Sequence, residues 1–312
     1  MNFRQRLADA APDRDTVLTI GVFDGIHRGH CHLLQTLMRA AQPNCMPGVI
    51  TFINHPATVL RPDFQVSYIT TPQRKIALLR EQGIDLVVPL EFTRELSRVT
   101  AIDFVTVLSQ TLRMKGMVIG PDFALGRDRQ GNAAFLQEAG RELGFWVKTV
   151  EPLIIDGVIV RSRRVRQAIT QGDIATGNKL LGRPFYLSGT VIAGDHRGRE
   201  LGFPTANLSS APGIMLPGDG IYATWAVING RQHPSATSIG IRPTFGLSER
   251  LVEVYVMDFS ADLYGQEIGV KFVQKLRNQV AFSSIEALVE QVDRDVADAR
   301  LVLARDEGAP VA

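Results

Sequence analysis

The chain has 312 residues, of which 45% are hydrophobic and 21% charged, and its formal net charge at pH 7 is +2. This composition is typical of a globular protein, and the length predicts two domains. The small net charge gives no bulk electrostatic reason to expect a nucleic-acid partner. No apolar run reaches a membrane span, and the amino terminus lacks the apolar segment of a signal peptide, so we expect a cytoplasmic protein with no membrane partner.

The first half of the chain alternates strand-like with helix-like segments. The sequence predicts strands at 16–23, 48–53, 85–90, 116–120 and 144–150, and helices at 30–41, 71–82, 101–112 and 132–143. Such alternation predicts an α/β domain with a parallel sheet, whose ligands bind beyond the carboxyl ends of the strands.

After about residue 182 the pattern changes to short strands separated by glycine and proline, which is typical of a small antiparallel barrel or sandwich. We place the boundary within residues 169–185, with domains at 1–182 and 183–312. Asp173 is predicted to cap the last helix before this boundary. A terminal helix is predicted to start near Ser284, where Ser283 and Glu286 have the spacing of a capping box.

The segment GVFDGIHRGH (21–30) follows the first predicted strand and leads into a helix. Free backbone N–H groups and the helix dipole at such a junction favour a phosphate. His27 and His30 project to the same side, so both can donate hydrogen bonds to one phosphate chain, as phosphoryl or nucleotidyl transfer requires. From the spacing alone, one capping and one exposed histidine is an equally good interpretation.

Two segments of the second half carry polar residues on one face of a strand. In PTAN (204–207), Thr205 and Asn207 point the same way and can offer two neutral oxygens to a nucleotide-bound Mg²⁺. In RLVEVYVMDF (250–259), Glu253 lies on the face opposite Val252 and Val254. The alternatives are a polar turn for the first segment and an ordinary surface glutamate for the second.

These segments resemble the bacterial bifunctional riboflavin kinase/FAD synthetases. GVFDGIHRGH is similar to that family's G-x-F-D-G-x-H-x-G-H signature, TFINHP (51–56) to F-x-P-H-P, and GPDFALGRDRQG (120–131) to G-x-D-F-x-F-G-x-x-R-x-G. GRELGFPTANL (198–208) resembles the kinase motifs G-R-x-L-G-F and P-T-A-N. The resemblance extends over roughly residues 15–303.

The resemblance implies a Rossmann-like nucleotidyltransferase domain followed by a small antiparallel β-barrel riboflavin kinase domain with a terminal helix. The implied enzyme uses ATP and Mg²⁺ to phosphorylate riboflavin to FMN and to adenylylate FMN to FAD with release of pyrophosphate. Its implied partners are these small molecules, and its oligomeric state is left open. One alternative is a riboflavin kinase with a weakened or inactive first domain, and another is a flavin- or RNA-binding regulator.

The matching motifs also imply roles for individual residues. His27 and His30 would bind the ATP phosphates during adenylyl transfer, and Glu253 would act as the general base of the kinase. Thr205 and Asn207 would hold the metal. The implied ATP- and flavin-binding residues are Gly21, Phe23, Asp24, Gly25, Gly29, His55, Asp122, Phe123, Ser162, Arg164, Arg166, Gly198, Arg199, Gly202, Phe203, Pro204 and Arg277.

One segment departs from the family pattern. VRSRRVR (160–166) occupies the place of I-S-S-T-x-I-R, and Arg161 and Arg163 stand where a serine and a threonine are expected. The added guanidinium groups can still bind phosphate, with altered geometry. We therefore hypothesise that FMN adenylylation is present but weakened; a solvated helix start and a basic patch for RNA are the alternatives.

Overall fold

The computed structural model describes residues 2–61, 63–194, 201–244 and 247–306. The chain divides into two compact units, one formed by Met1–Val66 and Thr71–Arg161, the other by Ser67–Thr70 and Ser162–Ala312. Within the described ranges, no helix has the length and apolar character needed to cross a bilayer.

The first unit is built on a five-stranded parallel sheet, as the alternating pattern predicts. Its strands are β1 (Thr16–Gly21), β2 (Met46–Phe52), β3 (Leu86–Leu90), β4 (Met114–Ile119) and β5 (Trp146–Thr149). They are ordered β3-β2-β1-β4-β5, and every neighbouring pair is parallel. Because the chain winds outward in both directions from β1, the switch point of the sheet lies between β1 and β4, where folds of this kind bind ligands.

Helices cover both faces of this sheet. They are α1 (Phe3–Asp9), α2 (Arg28–Ala41), α3 (Pro56–Leu60), α4 (Pro72–Glu81), α5 (Arg94–Ser97), α6 (Ala101–Thr111) and α7 (Ala133–Leu143), followed by a hairpin of β6 (Ile154–Ile155) and β7 (Val158–Ile159). Successive strand residues belong to different cores: Leu18 and Ile50 pack in one cluster, Val17 and Val49 in the other. The double-sided burial explains the continuous apolar character of these strands.

The second unit is a closed antiparallel barrel preceded by two helices and followed by one. Its helices are α8 (Ser162–Thr170), α9 (Ile174–Leu181) and α10 (Ile285–Arg305). Its strands are β8 (Phe185–Ile192), β9 (Thr205–Ser210), β10 (Gly220–Ile228), β11 (Arg231–Thr244), β12 (Leu247–Val256) and β13 (Glu267–Arg277), which close in the order β10-β11-β12-β9-β8-β13. The structure thus selects the barrel over the sandwich.

Side chains fill the interior of the barrel. The rings of Phe185 and Tyr222 pack on Phe272, with centroids 5.7 and 5.4 Å away. Three fully buried hydroxyl side chains share hydrogen bonds: Thr224 Oγ1 lies 2.8 Å from Ser235 Oγ and 2.7 Å from Thr237 Oγ1. On the outside, α10 covers part of the wall through a cluster that includes Met257, Ala299 and Leu303.

Two predicted helix starts have different outcomes. Asp173 caps α9 as predicted, because its carboxylate accepts a hydrogen bond from the Thr176 N–H at 3.0 Å. The predicted capping box at Ser283 is wrong. Ser284 is the N-cap of α10, and its hydroxyl oxygen accepts from the Ala287 N–H, which puts Glu286 one position too early to complete the box.

Helices α8 and α9 belong to the same compact unit as the barrel. Asn178 of α9 explains this grouping, because its Nδ2 donates to the Phe272 carbonyl at 2.8 Å and its Oδ1 accepts from the Phe185 N–H at 2.7 Å. The helix is therefore bound to two barrel strands. The functional boundary between residues 182 and 183 stays a prediction.

Candidate active sites

The segment that contains both histidines lies at the carboxyl end of β1, beside the switch point of the sheet. Phe23, Gly25 and Ile26 have φ angles of 51°, 83° and 37°. For the two residues that are not glycine, this left-handed region costs about 1–3 kcal/mol each and persists only where the surroundings fix it. The turn carries the chain directly from the strand into α2, so the N-terminus of that helix lies at the ligand-binding edge.

His27 and His30 lie together at the start of α2. His27 is the N-cap, and its Nδ1 accepts a hydrogen bond from the His30 N–H at 3.2 Å. A neutral His27 therefore carries its proton on Nε2, which can donate to a ligand. The two rings are stacked, with centroids 3.6 Å apart, and the Phe23 ring packs on His30 at 5.1 Å. One half of the alternative interpretation is confirmed, because His27 caps the helix, and the other half is wrong, because His30 is partly buried. Binding of a phosphate chain by both histidines stays a prediction.

Gly29 allows another part of the first unit to approach this helix start. A Cβ at Gly29 would lie 2.9 Å from the Val160 carbonyl oxygen and 3.2 Å from the His27 ring. The next residue, Arg161, forms an ion pair with Asp122 in the loop after β4, with Nη2 and Oδ2 2.8 Å apart. Residues 160–161 therefore connect the β1 side of the switch point with the β4 side.

The other predicted residues of the first unit lie in the same loops. Gly21 ends β1, where a Cβ would lie 3.0 Å from the Phe23 ring. Asp24 is only 3% exposed. Phe123 follows Asp122 and packs against the apolar core on one face of the sheet.

His55 follows β2 and is the N-cap of α3, where its Nδ1 accepts from the Ala57 N–H at 3.1 Å. Asn54, at the position where the resembled family usually has proline, forms two hydrogen bonds with the backbone of Phe92. This departure therefore fixes the end of β2 to the segment that follows β3.

The sequence analysis missed Lys75, a buried cation on α4. Its Nζ donates to the carbonyl oxygens of Val22 at 2.9 Å and Phe52 at 2.5 Å. Burial lowers the pKa of Lys75 to about 8, and the Asp24 carboxylate opposes this change, so the side chain is charged at pH 7. A signal was available, because Lys75 shares a helix face with the buried Leu78 and Leu79.

In the second unit, strand pairing brings the predicted metal ligands and the predicted base to one face. Asn207 of β9 lies directly across from Glu253 of β12, and Thr205 lies across from Tyr255. Directly opposed residues share a face of the sheet. Because Val252 and Val254 are buried inside the barrel, this face is the outer one. Threonine and asparagine oxygens fit the hard-ligand preference of Mg²⁺.

Neighbouring residues shape this outer face. A Cβ at Gly194 would collide with the Asn207 amide. Gly202 has a φ of 88°, and the Phe203 ring packs edge-on against Tyr255 at 5.5 Å. Pro204 is exposed directly before β9. Two further predicted residues, Gly198 and Arg199, lie outside the described residues.

The predicted arginine-loop residues lie on α8 in this second unit. Ser162 is the first residue of the helix. Arg164 is exposed, whereas the Nε atom of Arg166 is shielded from solvent. The two added arginines also differ, because Arg161 pairs with Asp122 and Arg163 is exposed.

Arg277, a predicted flavin contact, forms a bidentate ion pair with Asp295 of α10. Its Nε and Nη2 atoms donate to the carboxylate at 2.7 and 2.6 Å, and Nη1 donates to the Asn278 carbonyl at 2.9 Å. Gln291 also donates to Asp295. This network joins the terminal helix to β13, while a contact with flavin stays a prediction.

Together these features define a class: a two-domain enzyme that handles nucleotides. A family model described as FAD synthetase matches residues 9–164, and one described as riboflavin kinase matches residues 181–303. The bifunctional riboflavin kinase/FMN adenylyltransferase of Escherichia coli (strain K12) is 37% identical over 293 residues, which is 93% of each chain. The protein of that name from Listeria monocytogenes is 34% identical over 304 residues, which is 96% of each chain.

A solved structure described as a macrolide-efflux protein from Streptococcus pneumoniae shares the fold. It has a TM-score of 0.88 and 30% sequence identity, and the match covers 94% of this chain and 96% of that one. From the sequence relatives and both family models, the chain belongs to the family of bifunctional riboflavin kinase/FMN adenylyltransferases.

The network around Arg277 yields a stability prediction. Asp295→Ala removes the carboxylate and leaves a guanidinium that is only 21% exposed, so we expect a loss of about 3 kcal/mol in the free energy of unfolding. Urea unfolding measures this. The matched control is Glu290→Ala on the same helix, whose exposed ion pair with Arg294 is worth at most about 1 kcal/mol. Equal, small effects of both changes would contradict the structural role of Asp295.

Proposed function

We propose that the first unit transfers the adenylyl group of ATP to FMN and that the second unit phosphorylates riboflavin, so that one chain converts riboflavin to FAD. The proposal is carried by the presence of two separate clusters, the stacked histidines and the Glu253 face, in a chain that matches both family models. Each cluster suits one of the two reactions.

In the proposed adenylyl transfer, a phosphate oxygen of FMN attacks the α-phosphorus of ATP, and the bond to the bridging oxygen of the β-phosphate breaks to release pyrophosphate. His27, His30 and the positive end of the α2 dipole stabilise the triphosphate, where negative charge develops, and the two imidazoles donate hydrogen bonds to it. Gly25 and Gly29 have no side chain, so the backbone of this segment can approach the triphosphate closely. His55, Asp122 and Phe123 form the nucleotide and flavin pocket.

In the proposed kinase reaction, Glu253 accepts the proton of the ribityl 5′-hydroxyl, whose oxygen attacks the γ-phosphorus, and ADP leaves. Thr205 and Asn207 hold Mg²⁺ through neutral oxygens. When bound, the ion neutralises phosphate charge. The register across β9 and β12 supports this assignment, because Glu253 lies directly across from Asn207. Gly202 belongs to the proposed glycine-bearing flap over ATP, and Phe203 and Pro204 to the proposed cofactor-binding residues beside it; the other two proposed flap residues, Gly198 and Arg199, lie outside the described residues.

The direct test is to incubate the pure protein with ATP and Mg²⁺, with riboflavin in one sample and FMN in another, and to separate the flavins by chromatography. We expect FMN to form first from riboflavin and FAD to form from FMN, and we expect omission of Mg²⁺ to stop both reactions. FMN formation without FAD would leave only the kinase. The absence of both products would contradict the proposed function.

Glu253→Gln removes the proposed base with little change in shape. We expect the turnover of riboflavin phosphorylation to fall by about 10²–10⁴, because positioned acid–base groups contribute that much, while riboflavin affinity stays similar. Adenylylation of FMN by the same protein is the internal control, and Glu267→Gln at the exposed start of β13 is the matched control. Kinase turnover within a few-fold of wild type would remove Glu253 from this role.

One observation favours the alternative of a weakened first domain. The ion pair between Arg161 and Asp122 engages a carboxylate that we assign to the nucleotide and flavin pocket. Arg161 stands where the resembled family has a serine, which is too short to form such a pair. A substrate that needs Asp122 must therefore displace the guanidinium.

We expect Arg161→Ser to raise the rate of FAD formation by up to about five-fold, which is what a partly exposed ion pair can supply. The double variant Arg161→Ser/Arg163→Thr gains little more, because Arg163 is exposed. Steady-state adenylylation kinetics measure both variants, with the exposed Arg141→Ser as the control. If both variants form FAD at the wild-type rate, Arg161 and Arg163 do not slow adenylylation, and the hypothesis of weakened adenylylation is wrong.

A further inference from the structure

We propose that Lys75 is a positioning residue for adenylyl transfer: its ammonium group holds the ends of β1 and β2 together and thereby fixes the turn that presents His27 and His30. The inference rests on the proposed function of the first unit. Lys75 lies on α4, outside every motif that the sequence analysis identified.

The two carbonyl oxygens bound by Lys75 belong to adjacent parallel strands. Val22 directly follows β1, and Phe52 is the last residue of β2. The Val22 oxygen accepts a second hydrogen bond from Thr51 Oγ1 at 3.1 Å. At the edge where ligands of such a sheet bind, the segment that leads to the histidines and the segment that leads to His55 thus share one buried cation.

The hydrogen bond from Lys75 to the Val22 carbonyl oxygen lies at the entrance to a strained turn. Phe23, the next residue, is in the left-handed region with φ 51°, and Ile26 follows with φ 37°. Residues that are not glycine stay in this region only where their surroundings fix them. The two donors on the Val22 oxygen fix the peptide group that enters the turn, so the placement of the His27 cap and of the stacked rings depends on them.

Charge supports the same role. Lys75 is 4% exposed and Asp24 is 3% exposed, and the two are electrostatically coupled. A neutral residue at position 75 would remove a positive charge that interacts with the Asp24 carboxylate, which lies in the turn that is proposed to bind the triphosphate. Because the Lys75 ammonium is buried and donates to two backbone carbonyls, it acts through the turn and not on the reacting atoms.

The experiment compares the full-length wild type with Lys75→Met, which keeps the length of the side chain but removes its donors. Lys75→Arg keeps the charge, and Arg80→Met changes an exposed cation on the same helix as the matched control. Hydrogen exchange followed by mass spectrometry reads the turn without reference to activity. We expect faster exchange in peptides covering residues 22–30 and 52–58 of Lys75→Met, recovery in Lys75→Arg, and no change in Arg80→Met.

Kinetics of the same proteins test the consequence. We expect the kcat of FAD formation to fall by about 100-fold in Lys75→Met, the loss typical of a small displacement of catalytic groups. The KM values for ATP and FMN and the rate of riboflavin phosphorylation should stay similar, and Lys75→Arg should restore most of the loss.

Three results for Lys75→Met would overturn the proposal. They are unchanged exchange in the peptides covering 22–30 and 52–58, FAD formation at the wild-type rate, or faster exchange across the whole first unit, including α6. If the wild type forms no FAD, the proposed function fails. The exchange data then still decide whether Lys75 fixes the turn.

Discussion

The first unit depends on one short turn, in which the chain leaves β1 and enters α2 within a few residues. The turn is possible because Gly25 accepts a positive φ and because the left-handed conformations of Phe23 and Ile26 are enforced by their surroundings. It brings a helix N-terminus and two imidazoles to the switch point of a parallel sheet. The backbone geometry of the turn brings these groups together. The buried Lys75 ammonium and the absence of a side chain at Gly29 support that geometry.

In the barrel, the proposed kinase site depends on strand register. Side chains alternate between the two faces of a strand, so a shift of β9 by one residue would turn Thr205 and Asn207 inward and separate them from Glu253. The apolar partners fix the register, because Val252, Val254 and Leu208 must stay inside. The same alternation that builds the core therefore aligns the polar residues outside it.

Local sequence patterns predicted much of the structure. The features that they missed depend on contacts between residues far apart in the chain. Periodicity predicted the sheet strands, and Asp173 was predicted as a cap from its place at the start of a helical segment. The strand pattern alone left barrel and sandwich open, because β8 and β13 pair across some 80 residues of chain, whereas the family resemblance implied the barrel. Side-chain bonds such as that of Asn178 to Phe272 join distant segments, and no window of sequence records them. The error at Ser283 was a shift of one residue between two adjacent serines that are equally able to cap.

The filled interior of the barrel has a consequence for how this unit can change. In the described part of the barrel, aromatic rings pack in the lumen and three buried hydroxyls bond to one another, so these side chains already use the space and the hydrogen bonds there. The interior of a small barrel is filled either by its own side chains or by a ligand. The proposed kinase residues lie on the outer wall, so under that proposal substrate preference can change through surface substitutions while the folding core stays the same.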